Sequence, residues 1–156
     1  MGTRQKPPLV QRYPLVMPLF HELAADAKGD LLELAPRMLQ LTEQERESGI
    51  MGGCERRVKR FAGRFMKSYP DDDARILFLH DSSKIQLLSP RASNAVWSYH
   101  LSFRGGDAVF DFSHGEPMEA RRYPRSAFHN KRITVTEVEP ERFDKMYQSL
   151  ILSMYT

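Results

Sequence analysis

The chain has 156 residues, 41% of them hydrophobic and 28% charged, with a formal net charge of +3. That is enough for one domain with its own core and too little for two comfortable ones, and so mild a positive charge is weak ground for a nucleic-acid partner, so none is expected. The single cysteine, Cys54, excludes an internal disulfide, and no run of about 18 apolar residues is present to cross a membrane.

Residues 1–18 carry Pro7, Pro8, Pro14 and Pro18, which predict an irregular N-terminal arm preceding a single domain over 19–156. The start, Met1 to Pro8, leads into a proline-broken run without the apolar core of a signal peptide. From Leu19 to about Glu47 the apolar residues recur at helical spacing, interrupted at Gly29 and Pro36, which predicts two or three short helices. After the Gly-containing stretch 48–53, Cys54, Val58, Phe61, Ala62 and Phe65 form one apolar stripe of an amphipathic helix whose opposite face is basic. Ala74–His80 is a compact apolar run that reads as a buried strand, and Lys84–Leu88 is a second, weaker strand candidate.

Two short segments, Trp97–Phe103 and Ala108–Ser113, flank Arg104-Gly105-Gly106-Asp107 and read as a β-hairpin. With Gly105 and Gly106 as the loop of a type I′ turn, Trp97, Tyr99, Leu101 and Phe103 share a core face with Ala108, Phe110 and Phe112. His100 then lies directly opposite Asp111 on the other face, among Ser98, Ser102 and Ser113. Glu116–Asn130 reads as an irregular crossing, Arg132–Val138 as a strand and Glu141–Tyr155 as a terminal helix.

Three residue types with complementary chemistry are thus present. A cysteine at a helix N-terminus is where a thiol ionises most readily. A histidine held by a carboxylate is fixed in one tautomer and can shuttle the proton of an acyl-transfer reaction. Cys54 is the candidate nucleophile, His100 the acid–base group and Asp111 its orienting partner. The structural alternatives are a core cysteine and a cross-strand pair. His80-Asp81 reads as a strand-end pair and His114 as a turn histidine. A zinc set of Cys54, His100 and His114 lacks the paired ligand spacing that marks such sites, so no metal and no cofactor is expected.

Gly53-Cys54 opening a helix, Trp97-Ser98-Tyr99-His100 on a strand and Val109-Phe110-Asp111 on the next resemble the papain-like and transglutaminase-like cysteine hydrolases. The bacterial protein-glutaminase (glutamine-deamidase) group is the nearest in kind, and the resemblance spans about residues 48–115. It implies an α+β, papain-like fold, with N-terminal helices and a catalytic helix packed on an antiparallel sheet. It also implies deamidation of glutamine side chains of a protein substrate, in a host or target cell, through a thioester. A papain-like protease or a transglutaminase would use the same mechanism. Many papain-like enzymes place an oxyanion-stabilising glutamine about six residues before the cysteine; that position is Ser48, with Gln44 and Asn94 as further candidates. The implied setting is cytoplasmic, or that of a secreted or translocated effector. A different class is a non-catalytic module that binds an acidic partner through the basic helix face, including Arg57 and Arg60, and through Arg121-Arg122-Tyr123.

Overall fold

The computed structural model describes residues 7–34 and 53–154, and side chains within 7–29 and 53–154. The order is α1 (Leu9–Arg12), α2 (Met17–Leu34), α3 (Cys54–Ser68), β1 (Ala74–Asp81), β2 (His100–Gly105), β3 (Ala108–Phe110), β4 (Met118–Glu119), β5 (Ile133–Val138), a 3₁₀ turn (Pro140–Arg142) and α4 (Phe143–Ser153). The class is α+β. The five strands form one antiparallel sheet in the order β4-β3-β2-β1-β5.

Strand alternation assigns side chains to two faces, and both are covered. On one face Ile76, Phe78, Tyr99, Leu101, Phe103, Phe110 and Phe112 pack with Phe20 and Leu23 of α2, Val58, Phe61, Ala62 and Phe65 of α3, and Phe143 and Tyr147 of α4. The predicted stripe of α3 is therefore its buried face. On the other face Leu77, Leu79 and Val109 meet Leu88, Ala127 and Phe128, which belong to the two long connections. The sheet is thus sandwiched between helices and irregular chain. Trp97, expected on the helix face, packs on this second face, because β2 begins only at His100 and strand alternation does not extend back to residue 97.

Several boundaries differ from the expectations. Residues 9–18 are not an irregular arm. Tyr13, Val16 and Met17 are buried in the helix-side core, Arg12 donates to Asp107 at 2.7 Å, and Pro18 is tolerated in the first turn of α2, where its missing N–H has no intrahelical partner to lose. Helix α2 also runs through Gly29 without a break. Lys84–Leu88 is bent rather than a strand, with one bridge from Leu88 to Trp97.

The hairpin register is shifted by two residues. Gly105 pairs with Ala108 and Phe103 with Phe110, so the loop is Gly106-Asp107. Gly106 has φ +57° and Asp107 is not at positive φ, whereas a type I′ turn needs both central residues there. Gly105 sits inside the strand because a Cβ on it would fall 2.2 Å from the Phe65 ring. A shift of two preserves the face of every side chain. His100 and Asp111 therefore share a face, diagonally rather than directly opposed.

Candidate functional site

His100 opens β2 and Asp111 follows β3, and both point away from the helices. Imidazole Nε2 lies 2.9 Å from Asp111 Oδ1. The carboxylate also accepts the Ser113 N–H at 3.0 Å, the Ser113 hydroxyl, and the Tyr123 hydroxyl on Oδ2 at 2.8 Å. Ser102 Oγ in turn lies 2.8 Å from the Tyr123 oxygen and, with the tyrosine proton committed to Asp111, is the donor there. Asp111 is fully buried. Burial alone would raise its pKa, but the His100 charge and the bonds from His100 and Ser113 outweigh it and hold the carboxyl well below the usual range. An ionised Asp111 accepts Nε2–H, which leaves Nδ1 as the ring nitrogen free to exchange a proton.

The imidazole is clamped by rings. Trp97 stacks on it with centroids 4.7 Å apart and planes 11° from parallel, and Phe128 meets it edge-on at 5.7 Å. Its orientation is fixed by both its hydrogen bond and its packing. His114 stands at the rim, with Nδ1 4.0 Å from Asp111 Oδ1 and 3.1 Å from Ser113 Oγ. Its Nε2 is buried without a partner, and burial lowers its pKa against the opposing pull of Asp111.

Cys54 is elsewhere. It opens α3 and packs into the helix-side core with Val58 and Leu101, while His100 projects from the opposite side of the same strand into the cluster of Leu79 and Phe128. The sheet backbone separates thiol from imidazole, and no hydrogen bond joins the two. Burial pushes the thiol pKa up to about 11, although backbone N–H groups of Glu55, Cys54 and Leu101 oppose the rise. The expected Cys54–His100–Asp111 triad is thus reduced to a dyad, because α3 covers the face that β2 alternation denies to His100. The zinc alternative fails for the same reason. Of the proposed oxyanion donors, Gln44 and Ser48 lie outside the described residues, and Asn94 is exposed on the loop before Trp97.

The remaining expectations sort by burial. His80 and Asp81 do form a strand-end pair, with His80 Nδ1 2.8 Å from the Asp81 carbonyl, which accepts. Arg57, assigned to the solvated face of α3, is buried, and burial lowers its pKa against the charge of Asp26. The outward face instead carries Arg56, Lys59, Arg60, Arg64 and Lys67. Lys59 pairs with Asp144 at 2.8 Å and Arg60 with Glu22 at 3.5 Å. Arg121 and Arg122 are exposed, whereas Tyr123 turns inward to Asp111.

Sequence reasoning missed Tyr123 and the Trp97 stack. The Ser113 contacts had a signal, since Asp followed two residues later by Ser marks an Asx turn. Asp81 and Ser83 make the same turn after β1. Against that parallel, what is particular to Asp111 is His100 and Tyr123. No family model, no curated protein and no solved structure matches this chain.

Proposed function

We propose that the domain is an acyl hydrolase in which His100, held by Asp111, is the acid–base group. The observation that supports this reading is the 2.9 Å bond from an imidazole clamped between two rings to a carboxylate already saturated by Ser113 and Tyr123. Such a carboxylate keeps the imidazole in one tautomer and stabilises the imidazolium that forms during proton transfer. The chain order of cysteine-bearing helix, histidine strand and aspartate strand supports a papain-like arrangement as part of the same proposal. With Cys54 across the sheet, the thioester route lacks its nucleophile. Water then adds to the acyl carbon and gives its proton to His100 Nδ1; the imidazolium returns that proton to the leaving ammonia or alkoxide, and a carboxylic acid remains. The glutamine carboxamide is the substrate that the resemblance implies, and a protein is its implied carrier.

A second reading has its own observation. The five cations on the outer face of α3 form a solvated stripe fit for an acidic protein surface, and in that case the dyad is a structural cross-link.

One assay separates them: ammonia release from a protected glutamine peptide by wild type, His100→Ala and Cys54→Ser. Release that His100→Ala abolishes and Cys54→Ser preserves is the expected result. Loss in Cys54→Ser would restore the thiol as nucleophile, and release unchanged in His100→Ala would remove the dyad from the chemistry. No release from wild type would leave the binding reading, for which Arg56→Glu and Arg64→Glu should abolish capture by an acidic peptide.

A further inference from the structure

At the end of β1, on the sheet face that carries His100, a cavity of about 600 Å³ opens between residues 82–86 and 129–132. That volume is within the roughly 300–1,000 Å³ of small-molecule sites. Its walls are tied together before any ligand arrives. Asn130 Nδ2 donates to Asp81 Oδ2 at 2.7 Å and to the Leu87 carbonyl at 2.9 Å, while its Oδ1 accepts the Ser89 N–H at 2.8 Å. The Ser82 N–H bonds the Arg132 carbonyl at 3.0 Å.

The lining of this cavity carries more positive than negative charge. Asp81 is the acid in its lining, and its carboxylate is taken up by Asn130 and by the N–H and hydroxyl of Ser83. Lys131 and Arg132 line it, are exposed, and have no ion-pair partner among the described residues. Their donors remain available for an oxyanion.

Beside the cavity the chain displays apolar side chains that it does not bury. Ile85 is 89% exposed and Leu87 48%. The tip is fixed, since the N–H groups of Ile85 and Gln86 both bond Ser83 Oγ at 3.2 Å and Lys84 holds φ +61°, a backbone region that non-glycine residues enter at a cost. A strained turn thus holds an isoleucine in solvent next to a cationic pocket. Among the described residues, the apolar side chains of α3 itself are in the core rather than beside its basic face.

We propose that this cavity and loop tip form a peripheral membrane-docking site, in which Lys131 and Arg132 hold the phosphate of an anionic lipid headgroup and Ile85 and Leu87 enter the interfacial apolar layer. Adjacent cations and apolar side chains are the combination that an anionic bilayer surface rewards. A soluble phosphate ester would use the cations and leave Ile85 idle.

Co-sedimentation of the full chain with phosphatidylcholine vesicles, with and without phosphatidylserine, tests this, with glycerol 3-phosphate as the soluble probe. Wild type should partition onto the phosphatidylserine vesicles alone. Lys131→Gln combined with Arg132→Gln should weaken partitioning about 30-fold, and Ile85→Ser by about tenfold or more. All these residues are exposed, so circular dichroism should be unchanged. No partitioning of wild type, or partitioning that these variants leave intact, overturns the proposal. So does binding of glycerol 3-phosphate without vesicle binding, which would mark a soluble phosphate-ester site. Loss on Arg56→Glu with Arg64→Glu but not on Lys131→Gln would move the contact to α3 and also overturns it.

Discussion

Asp111→Ala is expected to lower the unfolding free energy by about 3–5 kcal/mol, because it removes the shared acceptor of several buried hydrogen-bond donors. Three groups lose their acceptor at once: His100 Nε2, the Tyr123 hydroxyl and the Ser113 turn. Each buried polar group left unpaired adds its own desolvation penalty. The pH dependence follows from the same contacts. Because the folded pKa of Asp111 is depressed, its stabilisation is present above the unfolded value of about 3.9 and is lost as pH falls towards the folded value. His114, whose folded pKa is also lowered, adds an acid-side loss that begins below about 6.5. Urea denaturation of wild type and variant across this range should show the wild type losing its advantage at acid pH. A change below about 1 kcal/mol at neutral pH would mean that Asp111 is not the hub of the network. Asp111→Asn keeps the shape and, in the hydrolase reading, should reduce turnover by about 10²–10⁴.

Phe61→Ala is expected to cost about 3–5 kcal/mol, as for other buried aromatic truncations. Phe61 is fully buried in α3 and meets Phe110 at 4.8 Å, Phe103 at 5.3 Å, Phe112 at 5.5 Å and Phe20 at 6.3 Å between ring centroids. One ring thus joins α2 and α3 to both strands of the hairpin, and the surrounding phenyl groups are too rigid to collapse into the space it leaves. Thermal or chemical denaturation reads the loss directly. Near-wild-type stability would contradict the packing of α3 on this sheet face.

Local pattern accounts for the elements that the chain announces most clearly. The stripe Val58, Phe61, Ala62 and Phe65 on α3 and the terminal helix keep a helical period, while β1 is marked by its compact apolar run and Ile133–Val138 by its β-branched residues. The hairpin was legible in its faces and illegible in its register, since alternation repeats every two residues and cannot distinguish pairings that differ by two. Gly105 misled because two different causes require glycine: Gly106 has positive φ, whereas Gly105 has Phe65 against its backbone. Such a close approach is a tertiary fact. Prolines predict an irregular arm over 1–18, yet Tyr13 and Val16 are core residues, and burial overrides a weak local preference.

The site was half legible for the same reason. His100 and Asp111 share a hairpin, so short-range pairing brings them together. Cys54 is 46 residues from His100 (100 − 54), and only the side on which α3 packs decides whether they meet. Nothing in the residue pattern specifies that side, because both sheet faces of β1 are apolar and both are buried. Tyr123 reaches Asp111 from the long connection, where spacing carries no pairing information.

Alkylation of Cys54 by iodoacetamide as a function of pH, in wild type and in His100→Ala, tests the separation of thiol and dyad most directly. A thiol whose pKa is pushed up to about 11 by burial, with the imidazole on the far face of the sheet, should be unreactive near neutrality. It should gain reactivity only at strongly alkaline pH, with the same profile in both proteins. Rapid alkylation at neutral pH that disappears in His100→Ala would contradict the account and establish a thiolate–imidazolium pair.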